Sequence, residues 1–199
     1  MLSERNPTVV VLAGPNDAGK STAAPSLLHG ALGVTEFVNA DDIARGLSAF
    51  DSERAALPAG RVMLGRLREL VRQRISFAFE TTLASRSFAP WLARLKRDGY
   101  SIQIVFLWLP SGDFAIDRVS DRVRMGGHSV PAETVRRRYR AGVRNFFGLY
   151  ERLASTWRVY DNSDDAPRLI AERLDIQATR VYDQALWASI VRRAAQHED

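Results

Sequence analysis

Thr8-Val9-Val10-Val11-Leu12-Ala13-Gly14-Pro15-Asn16-Asp17-Ala18-Gly19-Lys20-Ser21-Thr22 is the stretch on which the fold turns. Its first five residues are a valine-rich apolar run, too short for a helix and stopped by Gly-Pro-Asn, which predicts a buried parallel strand. Gly14 to Ser21 then satisfies G-x-x-x-x-G-K-[ST], and a helix is expected from near Gly19 to about Leu28. Between a strand and a helix, the main-chain N–H groups of such a loop converge on an anion and hold phosphates without needing side chains. Lys20 is expected to reach the β and γ phosphates of ATP, and the Ser21 hydroxyl to ligate Mg²⁺. Gly14, Asn16, Asp17, Ala18, Gly19, Lys20, Ser21 and Thr22 are therefore the candidate cofactor residues. Asp17 strains this reading by placing a carboxylate where negative charge is to be bound. Its side chain either faces solvent, joins the water around Mg²⁺, or weakens nucleotide affinity.

Outward from that loop, short strands are expected at Thr35 to Asn39, Ile75 to Phe79, Ile102 to Leu109 and Trp157 to Tyr160. The Ile102 run is the longest, which predicts the central strand. Helices are expected over Ser52 to Arg74, with Pro58 and Gly60 breaking its early part and Leu64, Leu67 and Val71 at helical intervals. Ser87 is the expected cap of a helix whose apolar face is Phe88, Trp91, Leu92 and Leu95. Further helices are expected from about Asp113 to Arg124 and from Ala132 to about Ser155. This alternation predicts an α/β, three-layer sandwich of the P-loop NTPase kind with a mainly parallel five-stranded sheet. Arg168 to Asp175 and Gln177 to Val181 read as a C-terminal hairpin, followed by a helix from Ala185 to Ala194 that buries Leu186, Ile190 and Val191. No repeat or linker divides the chain, so residues 1–199 read as one domain with an arginine-rich lid over about 118–144.

Composition narrows the chemistry. With 199 residues and 46% hydrophobic content the chain can bury a full core. It has no cysteine, which excludes disulfides, thiolate metal sites and a cysteine nucleophile and suits a reducing compartment. The early charge of Met1 to Arg5 and the short apolar run after it do not resemble a signal peptide, and no stretch has membrane length, so a cytoplasmic protein is expected. From Asp117 to Arg144 eight arginines face three acidic residues, a local excess equal to the +5 of the whole chain. Such focused charge suits phosphate groups.

Asp41 and Glu80 both fall at the carboxyl ends of expected strands, where ligands of open α/β sheets bind. Phosphorylating an alcohol needs a group to accept its proton, and Asp41 is the candidate base, with the alternative of a simple helix cap. Asp42 is its rival. Glu80, after an apolar strand and before Thr81 and Thr82, resembles the acid that orients Mg²⁺ water or substrate. Arg124 and Arg137, separated by a Gly-Gly-His turn, are the candidate lid arginines, since a planar charged fork pairs with two phosphate oxygens. His128 reads as a hydrogen-bonding loop residue.

Together the phosphate loop, Asn39-Ala40-Asp41, Phe79-Glu80-Thr81-Thr82-Leu83, the Gly126-Gly127-His128-Ser129-Val130-Pro131 turn with Arg-Arg-Arg-Tyr after it, and Tyr160-Asp161-Asn162-Ser163 resemble the zeta toxin family of P-loop kinases. The resemblance implies ATP-dependent phosphorylation of a UDP-activated amino sugar, typically UDP-N-acetylglucosamine, and a cognate antitoxin that blocks the ATP site. It implies that Asp41 is the base, that Lys20, Ser21 and Asn162 serve nucleotide and metal, that Glu80 and Thr82 contact the sugar nucleotide, and that Arg124 and Arg137 are lid arginines. Two departures stand out: Asp17 replaces the usual glycine, and Ala44 stands where longer members carry arginine. A small-molecule kinase acting on an antibiotic or metabolite is the alternative within the same chemistry. A nucleic-acid-binding NTPase is disfavoured because no aromatic stacking platform is interleaved with the arginines.

Overall fold

The computed structural model describes residues 6–48, 52–175 and 177–195, so the charged start at Met1 to Arg5 lies outside it. The strands are β1 (Thr8–Ala13), β2 (Glu36–Val38), β3 (Phe77–Thr81), β4 (Ser101–Trp108), β5 (Thr156–Asp161), β6 (Arg168–Leu174) and β7 (Arg180–Val181). They form one sheet in the order β2-β3-β1-β4-β5-β6-β7. The first five in that order are parallel, and β6 and β7 are antiparallel additions. The sheet thus has seven strands and not the expected five, because the C-terminal hairpin pairs along β5, from Thr156 opposite Leu174 to Asp161 opposite Arg168, and covers its open edge. As expected, β4 is central.

In-register parallel partners share a face. Val11 pairs with Phe79 and Ile104, and Ala13 with Thr81 and Phe106, so the large aromatics lie on one side of the sheet. There Phe79 meets Phe88 with ring centroids 4.9 Å apart, Phe106 meets Phe146 at 4.9 Å, and Trp157 stacks on Trp187 at 5.5 Å. These rings come from α4 (Phe88–Arg97), from the π-helical turn Phe146–Tyr150 that continues α6 (Ala132–Asn145) into α7 (Glu151–Leu153), and from α8 (Gln184–Ala195). The other side holds Leu12 and Glu80, and α1 (Lys20–Ala24) with its π-helical extension Pro25–Leu32 follows the loop that leaves β1.

Three local expectations are corrected. Helix α3 (Ser52–Arg72) runs through Pro58 and Gly60 without a break. Pro58 is the seventh residue, past the first turn, so the helix forgoes one i→i−4 hydrogen bond there, and the buried stripe Ala59, Met63, Leu67 and Leu70 holds it nonetheless. That stripe turns Leu64 outward, and on α8 the burial of Ile190 and Ala194 likewise leaves Val191 exposed. Ser87 is no cap: it already has helical backbone angles, and its hydroxyl accepts a hydrogen bond from Ser85 Oγ at 2.8 Å.

The remaining helices, α2 (Ala40–Leu47) and α5 (Gly112–Arg124), carry the site, and α5 pairs with α6 as the hairpin of the lid. Helix α6 also clamps the segment after β3. Asn145 Nδ2 donates to Leu83 O at 2.8 Å and Ala84 O at 3.2 Å, and Tyr150 donates to Ser85 O at 2.7 Å. Burial pushes the Tyr150 hydroxyl up to about 12, which keeps it a donor. A β-carbon on Gly142 would come 2.4 Å from Thr82 O. Gly142→Ala is therefore expected to lower unfolding free energy in urea by up to about 2 kcal/mol, overpacking of about 1–3 kcal/mol being offset in part by a helix-propensity gain of about 1 kcal/mol.

Candidate active site

The loop after β1 is a cradle built on close backbone approach. Gly14 takes φ 147° and Gly19 φ 74°; a β-carbon would meet Leu107 O at 2.4 Å on the first and Asn162 Nδ2 at 2.6 Å on the second. Asn162, buried at the end of β5, donates from Nδ2 to Ala18 O at 2.7 Å. It holds the loop from behind, as do Gly14 and Ala18, and these three do not line the cavity in front. Asn16, Asp17, Gly19, Lys20, Ser21 and Thr22 do line it. Lys20 is only 5% exposed; its Nζ donates to Pro15 O at 2.7 Å and lies 3.5 Å from Glu80 Oε1. Asn16 Oδ1 is buried with no partner, a polar group with spare capacity beside the cradle.

Glu80 gathers the groups around it. Its Oε2 accepts from Ser21 Oγ at 2.8 Å and from Asn39 Nδ2 at 3.2 Å, while Asn39 Nδ2 also lies 3.3 Å from Ser21 Oγ. Asn39 caps α2 as well, its Oδ1 accepting from the Asp41 N–H at 2.9 Å. The capping duty considered for Asp41 and Asp42 thus belongs to Asn39. Asp42 pairs with Arg45 at the surface, whereas Asp41 carries no ion pair among the described residues and faces the same 860 Å³ cavity as the cradle, Glu80 and Thr82. Ser21 with an adjoining carboxylate suits Mg²⁺, which binds through few protein oxygens plus phosphate and water, and the described residues contain no larger cluster of metal-ligating side chains.

The arginines that reach the cavity differ from the pair singled out by spacing. Arg124 is 76% exposed and paired with Asp121, and Arg137 lines an adjoining 440 Å³ cavity between α2 and the lid turn. Arg122 and Arg138 line the cradle cavity, and Arg138 lines both. Helix register is the reason. On α5 the buried Ala115 and Val119 put Arg122 on the inward face, and on α6 the buried Val135 and Tyr139 do the same for Arg138. The signal was in the sequence as apolar spacing. Arg122 Nη1 donates to Asp17 Oδ1 at 2.7 Å and Nη2 to His128 O at 3.0 Å, so His128 is a hydrogen-bonding member of the lid turn. Burial pushes the Asp17 carboxyl above its ordinary value, against the opposing pull of Arg122, Lys20 and His128.

Residues 1–175 match the family model described as Zeta toxin. The chain belongs to the zeta toxin family. An uncharacterized protein of Haemophilus influenzae is 26% identical to this family member over 130 residues, 65% of this chain and 91% of that protein. Among solved structures, a chain of the AvrRxo1-ORF1:-ORF2 complex with ATP superposes with a TM-score of 0.71 at 17% identity, covering 94% of this zeta toxin family chain and 64% of the other. This chain thus spans just under two thirds of that one. A chain from the PezAT chromosomal toxin-antitoxin system of Streptococcus pneumoniae gives 0.61 at 13% identity, covering 98% and 89%. At these identities the structural matches establish the fold alone, an α/β sandwich on a mainly parallel sheet. No helix among the described residues of this zeta toxin family member is long and apolar enough to cross a membrane. Removing the tie behind the cradle should be felt in folding: Asn162→Ala is expected to lower unfolding free energy by about 1–3 kcal/mol in urea titration, because the Ala18 carbonyl loses its buried donor.

Proposed function

We propose that this chain is an ATP-dependent kinase that phosphorylates a hydroxyl of a UDP-activated amino sugar such as UDP-N-acetylglucosamine. It works in the cytoplasm as the toxin of a toxin–antitoxin pair. The observation that carries this reading is the single cavity shared by the phosphate cradle, Asp41, Glu80 and the lid arginines Arg122 and Arg138. Family membership supports it, as do the neighbours whose structures include ATP or belong to a toxin-antitoxin system.

In this reading the acceptor hydroxyl loses its proton to the Asp41 carboxylate as its oxygen attacks the γ-phosphorus. The bond to the β,γ-bridging oxygen breaks and ADP leaves. Lys20 exchanges its Pro15 carbonyl for phosphate oxygens, and the loop N–H groups hold the β-phosphate. Arg122 and Arg138 neutralise charge on the transferring group, a task suited to planar forks. Ser21 would hold Mg²⁺, with Glu80 orienting the hydroxyl through their hydrogen bond, and the ion would supply neutralisation of phosphate charge. Glu80 and Thr82, which line the same cavity as Asp41, meet the acceptor in this reading. The cognate antitoxin acts by covering the nucleotide side of the cavity.

Incubating the protein with ATP, Mg²⁺ and a panel of UDP-sugars should add one phosphate to a UDP-amino sugar, read by mass spectrometry. Asp41→Asn should lower kcat by about 10²–10⁴ while nucleotide binding persists, whereas expression of the wild type should arrest growth and Lys20→Ala should abolish both activity and that arrest. If ATP binds and no UDP-sugar is modified, the acceptor assignment fails. Arg138→Gln should cost about 10²-fold or more in kcat; Arg124→Gln should stay within about twofold, as expected for an exposed surface pair.

A further inference from the structure

Asp17 is the one acidic side chain inside the phosphate loop, and it holds its place against several costs. Its backbone has φ 53°, a left-handed conformation that a β-carbon disfavours and glycine takes freely. Its carboxylate lines the cavity beside Gly19 and Lys20, is only 16% exposed, and leaves Oδ2 buried with no partner. Its other oxygen accepts from Arg122 at 2.7 Å, across 105 residues of chain, and Arg122 holds the lid turn through His128 O at 3.0 Å. Arg122 Nε is likewise buried without a partner, so this guanidinium has donors to spare. The turn is packed on the same side chain: a β-carbon on Gly127 would fall 2.6 Å from Arg122 Cγ.

We infer that Asp17 is an internal anion standing in for nucleotide phosphate: it holds Arg122 and the lid turn over the cradle, and a nucleoside di- or triphosphate must displace it to bind. The inference rests on the cradle being a nucleotide site. Asp17 is a positioning residue in this scheme, acting through Arg122 and not on the reacting atoms. Two effects of the carboxylate oppose the ligand. It repels the incoming phosphates, and it occupies the arginine that would otherwise bind them. Affinity for ATP and ADP is thereby lowered, and ADP leaves quickly after transfer. The raised carboxyl of Asp17 agrees with a charge kept in a confined site.

The test uses Mg-ADP, which binds without chemistry, on the full chain and on Asp17→Asn and Asp17→Gly. Glycine suits the left-handed backbone and asparagine tolerates it, so both variants are expected to fold. Calorimetric titration should show ADP bound about tenfold more tightly by both, the effect of removing one like charge from a partly desolvated site. Hydrogen exchange without nucleotide should show the amides of Met125 to Val130 opening faster in the Asp17→Gly variant, with protection restored by ADP. In an Arg122→Gln background the tightening from Asp17→Gly should change, since the arginine for which the two anions compete is gone and no longer offsets the carboxylate. Equal or weaker ADP binding by both variants would overturn the inference, and so would the same tightening with and without Arg122. Absence of ADP binding by all of them, wild type included, would instead overturn the cradle as a nucleotide site.

Discussion

Leu12 lies directly beside Glu80 because β1 and β3 run parallel and in register, and the chemistry of the site depends on that pairing. Both strands end at the same level, so the loop leaving β1 and the last residues of β3 emerge together. Glu80 then meets Ser21 at 2.8 Å and Lys20 at 3.5 Å without any side chain being stretched. A slip of one residue would turn Glu80 to the opposite face, among Phe77, Phe79 and Trp91, where a carboxylate has no partner. The full burial of Val9 to Ala13 on the middle of the sheet is what makes such a slip costly.

Around that fixed point the site is divided by how it is held. The wall formed by the phosphate loop and the end of β3 is tied by neutral hydrogen bonds, buried for Asn162 to Ala18 and Asn145 to Leu83 and half-buried for Tyr150 to Ser85. The lid is joined to the cradle by an ion pair, Arg122 to Asp17. Packed neutral ties resist exchange of partners, whereas a charged pair facing a cavity can trade one anion for another. Buried Lys20 follows the same logic, balanced by Glu80 and by the Pro15 carbonyl until a stronger anion is offered.

Much of the architecture was legible from the chain. Short apolar runs separated by helical periodicity gave the parallel order, and the spacing of glycines, lysine and serine located the cradle, because both signals are local and periodic. Failures came where a neighbour overrode a local rule. Pro58 stays within α3 because Met63, Leu67 and Leu70 pack, and the hairpin of β6 and β7 joins the main sheet because β5 had an edge to cover. Spacing about the turn points to Arg124 and Arg137, whereas the apolar register of each helix turns Arg122 and Arg138 to the cavity.

The sequence by itself determined which elements form, the conformation demanded of the loop, and the supply of charge: one lysine in the cradle, carboxylates at strand ends and a cluster of arginines. Those are properties of neighbours along the chain, set by sterics and hydrophobic period. Only the tertiary structure decided which of these charges face one another. Asn39 became the cap and the link to Ser21, Glu80 the hub, Asp17 the partner of Arg122, and Asp41 was left to face the cavity without an ion pair among the described residues. The reason is physical: a charge acts over a few ångströms of space, and residues 105 positions apart come that close only when strand register and helix packing bring them together.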